Sequence, residues 1–86
     1  MYENITKDLV LDVELNRQNH QVYEVALTYR YDKKDERIAA CWTDYEGMVA
    51  LRRSIKDAIY LNRKSLGIMQ QFVRVMKTVK KFPVVG

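Results

Sequence analysis

Gln70, Arg74, Lys77 and Lys81 recur at intervals of four, three and four. That spacing stacks side chains along one face of a helix, opposite Leu66, Met69 and Val73. Arg63 and Lys64 precede them, and Arg52, Arg53 and Lys56 form a further basic group upstream. The chemistry open to such a set is electrostatic. Each guanidinium or ammonium that meets a phosphate releases counterions, and the same groups complement carboxylates on a protein surface. A plain solvated face explains part of the pattern, because cations near a helix C-terminus are favoured and Lys77, Lys80 and Lys81 would sit there. The charge balance of the chain points further. Residues 1–46 hold ten acids and six bases, a net −4, whereas residues 47–86 hold nine bases and one acid, Asp57, a net +8. Soluble helices ordinarily intersperse both signs. The predicted binding residues are therefore Arg52, Arg53, Lys56, Arg63, Lys64, Gln70, Arg74, Lys77 and Lys81, facing a nucleic acid or an acidic protein surface.

Other residue types that carry chemistry are isolated. His20 has no second histidine, and with one distant cysteine, Cys41, it cannot supply the three or four ligands of a zinc site. Cys41 falls in mid-strand with no histidine nearby and reads as a small packing residue. Asp32, Asp35 and Glu36 lack the spacing of a calcium loop. Three scattered glycines cannot form a phosphate-cradling loop. Asp12 and Glu14 share one side of a strand, and no cleft is implied around them. No metal, no cofactor and no enzymatic activity is expected.

The elements that must position the basic residues follow from periodicity. Leu9, Leu11, Val13 and Leu15 alternate with Val10, Asp12 and Glu14, as in a half-buried strand. After the polar loop Asn16–His20, the residues Tyr23, Val25, Leu27, Tyr29 and Tyr31 alternate with Val22, Glu24, Ala26, Thr28 and Arg30. The polar turn Asp32–Glu36 leads to Ile38, Ala40 and Trp42, alternating with Arg37, Ala39, Cys41 and Thr43. Two short loops between three strands predict an antiparallel meander.

The period changes at Thr43. Thr43-Asp44-Tyr45-Glu46 matches a capping box with Thr43 as the N-cap. Met48, Leu51, Ile55, Ala58 and Ile59 then follow at helical spacing. Gly47 falls in the first turn, where the helix frays or a strand approaches closely. Leu66, Met69, Phe72, Val73, Met76 and Val79 continue the helical period. One helix over 44–81 would be about 57 Å long, against a radius of gyration near ~12 Å for this size. A break is therefore expected at Asn62–Ser65, with Asn62 or Ser65 as the next N-cap, and Pro83 ends the second helix before Val84-Val85-Gly86.

The expected fold is α+β: a three-stranded antiparallel meander followed by two helices packed on one sheet face. The sheet lies at about 7–43 and the helices at about 44–62 and 65–81, in a single domain over residues 1–86. The predicted core comprises Leu9, Leu11 and Val13, then Tyr23, Val25, Leu27 and Tyr29, then Ile38, Ala40 and Trp42, under Ile55, Ile59, Met69, Phe72 and Met76. The outer sheet face carries Asp12, Glu14 and Glu24 against Arg30 and Arg37. That balance suits phosphate poorly, so polyanion binding is expected on the helices. Ile68 and Val75 widen the apolar arc of the second helix, which predicts self-association through it as a homodimer.

The chain of 86 residues has the composition of a folded globular domain: 48% hydrophobic and 30% charged. A lone cysteine permits no internal disulfide and suits a reducing cytoplasm. Residues 1–15 do not read as a secretory leader, and no apolar run approaches the ~18–20 residues that span a bilayer. Tyr2, Tyr45 and Tyr60 are expected to show an edge to solvent, as interface tyrosines do.

The stretch from Val22 to Ile59, with strands, a tryptophan near a helix start and Leu51 and Ile55 at Leu-x-x-x-Ile spacing, is faintly similar to single-strand-binding transcriptional coactivator domains. It covers under half of the chain and lacks that group's glycine-and-lysine loop and fourth strand. The strand–strand–strand–helix order also resembles arm-binding domains of integrases, which read DNA with the sheet. The acidic outer face here departs from that use, and no function is carried over. The expected function is a non-enzymatic binding module that associates with nucleic acid through its basic C-terminal helices. The alternative is a phage or mobile-element type of protein that binds and inhibits or redirects a host protein.

Overall fold

The computed structural model describes residues 1–83. The organising element is a long hairpin of β3 (Tyr23–Tyr31) and β4 (Lys34–Thr43). Asp32 and Lys33, between them, both have positive φ, 50° and 63°. This is the mirror-image turn whose twist suits a two-residue hairpin. β4 consequently begins at Lys34, inside the stretch expected to be turn. β2 (Leu9–Leu15) pairs with β3 on its other side.

Among the described residues the sheet has five antiparallel strands in sequential order, not three. β1 (Tyr2–Asn4) lines the edge of β2, with Glu3 opposite Leu11. The terminal ammonium of Met1 donates to the Val13 carbonyl at 2.6 Å and lies 3.3 Å from Glu14. β5 (Lys81–Phe82) returns after the helices to pair with Trp42 and Thr43 of β4. Both added strands are too short to show a hydrophobic period, and tertiary pairing alone makes them strands.

The buried face of β4 differs from the expected one. Leu27 pairs with Ala39, but its neighbour Thr28 pairs with Arg37, so Ile38 is an extra residue in the ladder. Such a bulge shifts the in–out phase by one. Before it, Lys34 and Glu36 share the face of Tyr31 and Tyr29; after it, Ala39, Cys41 and Thr43 lie opposite Leu27, Val25 and Tyr23. Ala39 and Cys41 are in the core, Ala40 is exposed, and Trp42 is half-buried on the outer face. Small residues are needed inside because the first helix comes close there.

That helix, α1 (Tyr45–Tyr60), is capped by Asp44, whose carboxylate accepts from the Gly47 amide at 2.8 Å. The predicted capping box with Thr43 is not formed. Thr43 is fully buried in β4, against Gly47. α1 ends at a C-cap, Leu61, and Asn62 follows with φ 58°, a left-handed position that asparagine tolerates after a helix. Asn62 thus closes α1 and does not start α2 (Ser65–Met76). Ser65 is the first helical residue, its hydroxyl 3.1 Å from that of Thr6, and Lys64 occupies the N-cap without a side-chain bond.

α2 ends at Met76, with Lys77 as C-cap, and does not reach residue 81. Thr78 bonds back to the Val75 carbonyl through both its amide (2.9 Å) and its hydroxyl (2.7 Å), which turns the chain five residues before Pro83. The expected trailing segment Val84–Gly86 lies outside the described residues.

The core lies between the sheet and both helices: Leu9, Leu11, Val13, Val25, Leu27, Ala39 and Cys41 below, with Met48, Leu51, Ile55, Ala58, Ile68 and Phe72 above. Burying a side chain such as Phe72 completely contributes about 1.5–3 kcal/mol. Ile59, expected inside, is 47% exposed. Ala58, one position back on the helix, takes the buried place.

Candidate partner-binding groove

α2 presents two apolar arcs. Ile68 and Phe72, one turn apart, are buried in the core. Leu66, Met69 and Val73 point to the flank, where with Ile38 of the β4 bulge they line a groove of about 460 Å³. Gln70, Arg74 and Lys77 form its polar rim. The polar stripe expected to lie opposite Leu66, Met69 and Val73 therefore lies beside them. Leu66 is 64% exposed and Ile38 40% exposed, an apolar floor that nothing covers among the described residues. Among the described residues, neither Arg74 nor Lys77 has an acid within ion-pair distance. The groove thus offers apolar contact and unneutralised positive charge together.

The other predicted binding residues are distributed elsewhere. Arg52 is engaged: its Nη2 donates to Glu3 Oε1 at 2.8 Å, tying α1 to β1. Its Nε is buried with no partner. Arg53 and Lys56 are exposed and share a shallow depression with Val49 and Arg52. Arg63 is exposed, its aliphatic stem lying against Gly67. Lys64 caps α2. Lys81 is in β5, and its ammonium donates to the Met76 carbonyl at 3.0 Å, neutralising the free end of α2. One basic group therefore lies beside β1 and another beside β4, with β2 and β3 between them in the sheet. They do not make one stripe.

Ile38, Leu66, Met69 and Val73 were not among the predicted site residues. The available signal was the width of the apolar arc of α2, too broad for one sheet face. Ile38 could be assigned to the groove only from the bulge.

The outer sheet face presents a contrasting surface. Glu14 lies directly opposite Glu24, and Glu24 opposite Trp42. Asp12, Arg37 and Ala40 share a small depression with them. Arg30 pairs with Asp35 at 3.0 Å, which raises the guanidinium pKa further above its ordinary value. The Cys41 thiol is pushed up by burial, partly offset by the charge of Lys81. Among the described residues no group of three His, Cys, Asp or Glu side chains is placed to hold a metal ion. Among the described residues, no helix is long and apolar enough to cross a membrane.

No family model, no curated protein and no solved structure matches this chain.

Proposed function

We propose that this protein is a non-enzymatic binding module that docks a partner protein in the α2–β4 groove, the partner contributing an apolar segment flanked by acids. The observation that supports this is the adjacency of an apolar floor, with Ile38 and Leu66 exposed and Met69 and Val73 half-buried, to Arg74 and Lys77, cations with no ion-pair partner among the described residues. Apolar burial supplies affinity, and the polarised charge orients the approach. A small protein of this kind acts by occupying or redirecting its partner, as an inhibitor from a phage or mobile element does. The buried lone thiol of Cys41 suits a cytoplasmic setting.

The second reading is nucleic-acid association through Arg53, Lys56, Arg63, Lys64, Arg74 and Lys77, and the net +8 of residues 47–86 favours it. A phosphate-tracking surface wants contiguous free cations. Arg52 and Lys81 are engaged internally, and the remaining cations lie in separate groups.

One experiment separates the two. Labelled single- and double-stranded DNA and RNA are titrated across a salt series, alongside capture from nuclease-treated source extract in high salt. Protein docking predicts a stoichiometric partner lost with Leu66→Asp and with Arg74→Glu/Lys77→Glu. Nucleic-acid binding with a log–log salt slope near about −4, unchanged by Leu66→Asp, establishes the second reading instead.

A further inference from the structure

We infer that the occupant of the α2–β4 groove is an extended acidic-apolar segment that adds as a strand to the open edge of β4, a mode that presupposes the docking role proposed above. β5 pairs with β4 only at Trp42 and Thr43, whereas β4 begins at Lys34. Among the described residues, Lys34–Ile38 thus have a strand neighbour on the β3 side alone. Successive residues of an antiparallel strand direct their N–H and C=O groups to opposite sides. Every second residue of Lys34–Arg37, ahead of the bulge, therefore presents both groups to the free side, and all of Lys34–Ile38 are exposed. An incoming extended backbone satisfies those groups. A helix cannot, since its own amides and carbonyls are already bonded.

Edge and groove are continuous because Ile38 belongs to both. A strand laid along β4 has α2 as its second wall and directs alternate side chains toward Leu66, Met69 and Val73. Same-face side chains on a strand are about 6.6–6.8 Å apart, and the helical rise over the four-residue step from Val73 to Lys77 is about 6 Å. Where the strand runs along α2, an apolar side chain on Val73 therefore brings an acid two positions along the strand within reach of the rim cations. The edge is also guarded. The bulge at Ile38 and the run Lys34, Asp35, Glu36, Arg37 discourage indiscriminate pairing, as charged and irregular edges do. Charge complementarity to Arg74 and Lys77 then selects the acidic chain.

The test uses a phage-displayed library of randomised eight-residue peptides panned against the whole protein. The enriched peptide is then synthesised with and without backbone N-methylation. The expected winners carry an apolar residue and an acid two positions apart. Methylating the alternate amides that face the edge should weaken binding at least 10-fold, methylating the other set should not, and the peptide should slow amide exchange within Lys34–Ile38. Winners with helical spacing, or binding indifferent to N-methylation with β4 exchange unchanged, would overturn strand addition while leaving the docking role intact. No enrichment, or winners that bind Arg74→Glu/Lys77→Glu equally well, would overturn the docking role itself. A dimer whose β4 amides are already protected without peptide would assign the edge to a second copy and overturn the inference.

Discussion

A side chain at Gly47 would overlap the hydroxyl of Thr43: the first turn of α1 lies directly on the last residue of β4, with only the N-cap Asp44 beyond it. This contact joins the helical layer to the sheet at the point where the chain passes from one to the other. Thr43 is fully buried there, and its Oγ1 has no hydrogen-bond partner among the described residues.

Gly47→Ala is therefore expected to destabilise the fold. Alanine gains about 1 kcal/mol in helix propensity, and the overlap with the strand costs about 1–3 kcal/mol or more. Thr43→Ala should recover part of the loss when combined with it, and Thr43→Val alone should add about 1 kcal/mol by removing the orphan hydroxyl at constant shape. Urea denaturation of the three variants measures this; a fully stable Gly47→Ala protein would show that α1 does not approach β4 so closely.

The bulge at Ile38 makes neighbouring alanines unequal. Ala39 is buried in the core and Ala40 is exposed on the outer face beside acids. Ala39→Lys places an unpaired charge inside, at a cost of several kcal/mol, and should leave the protein largely unfolded by circular dichroism. Ala40→Lys should shift stability by no more than about 0.5 kcal/mol. Unbroken alternation along β4 requires the reverse order, so one pair of melting curves decides the register.

Cys41 should impose an alkaline limit on its contribution to stability. Burial holds the folded thiol above its ordinary pKa, so the unfolded chain loses its proton first. The contribution is complete below about pH 8.5, the ordinary thiol value, and is lost as pH rises through the folded value. The stability difference between wild type and Cys41→Ala should narrow as pH rises above about 8.5 in urea titrations. A difference that stays constant would place the thiol in contact with water. Consistent behaviour is expected from a thiol reagent at pH 7.5, which should label Cys41 only after denaturant is added.

Much of the architecture is legible in the residues. The alternation of Leu9, Leu11 and Val13, and of Tyr23, Val25 and Leu27, specifies two strands and their inner face, because period-two side chains sort by solvent. The helical recurrence of Leu51 and Ile55, then of Met69, Phe72 and Met76, with a break near Asn62, places two helices after the hairpin, whereas Ile68, read as part of a self-association face, is buried in the core. Basic residues are readable as exposed, since lone cations are costly to bury. Their grouping is not. Whether Arg74 and Lys77 stand free depends on which acids lie near them in space, and Arg52 found Glu3 from the far end of the chain.

The sequence by itself determined the α+β class, the order of the long elements and the segregation of charge, because each rests on local periodicity and composition. Only the tertiary structure decided the rest. The strands Tyr2–Asn4 and Lys81–Phe82 exist through their partners and have no period of their own. The extra residue at Ile38 exchanges Ala40 and Trp42 for Ala39 and Cys41 in the core, since one inserted residue inverts every later side chain. The end of the second helix at Met76, and hence the separation of Lys81 from Arg74 and Lys77, comes from Thr78 bonding back to Val75 and from β5 meeting β4. The groove follows from these nonlocal events: it forms where a bulged edge strand and the flank of a helix are brought side by side.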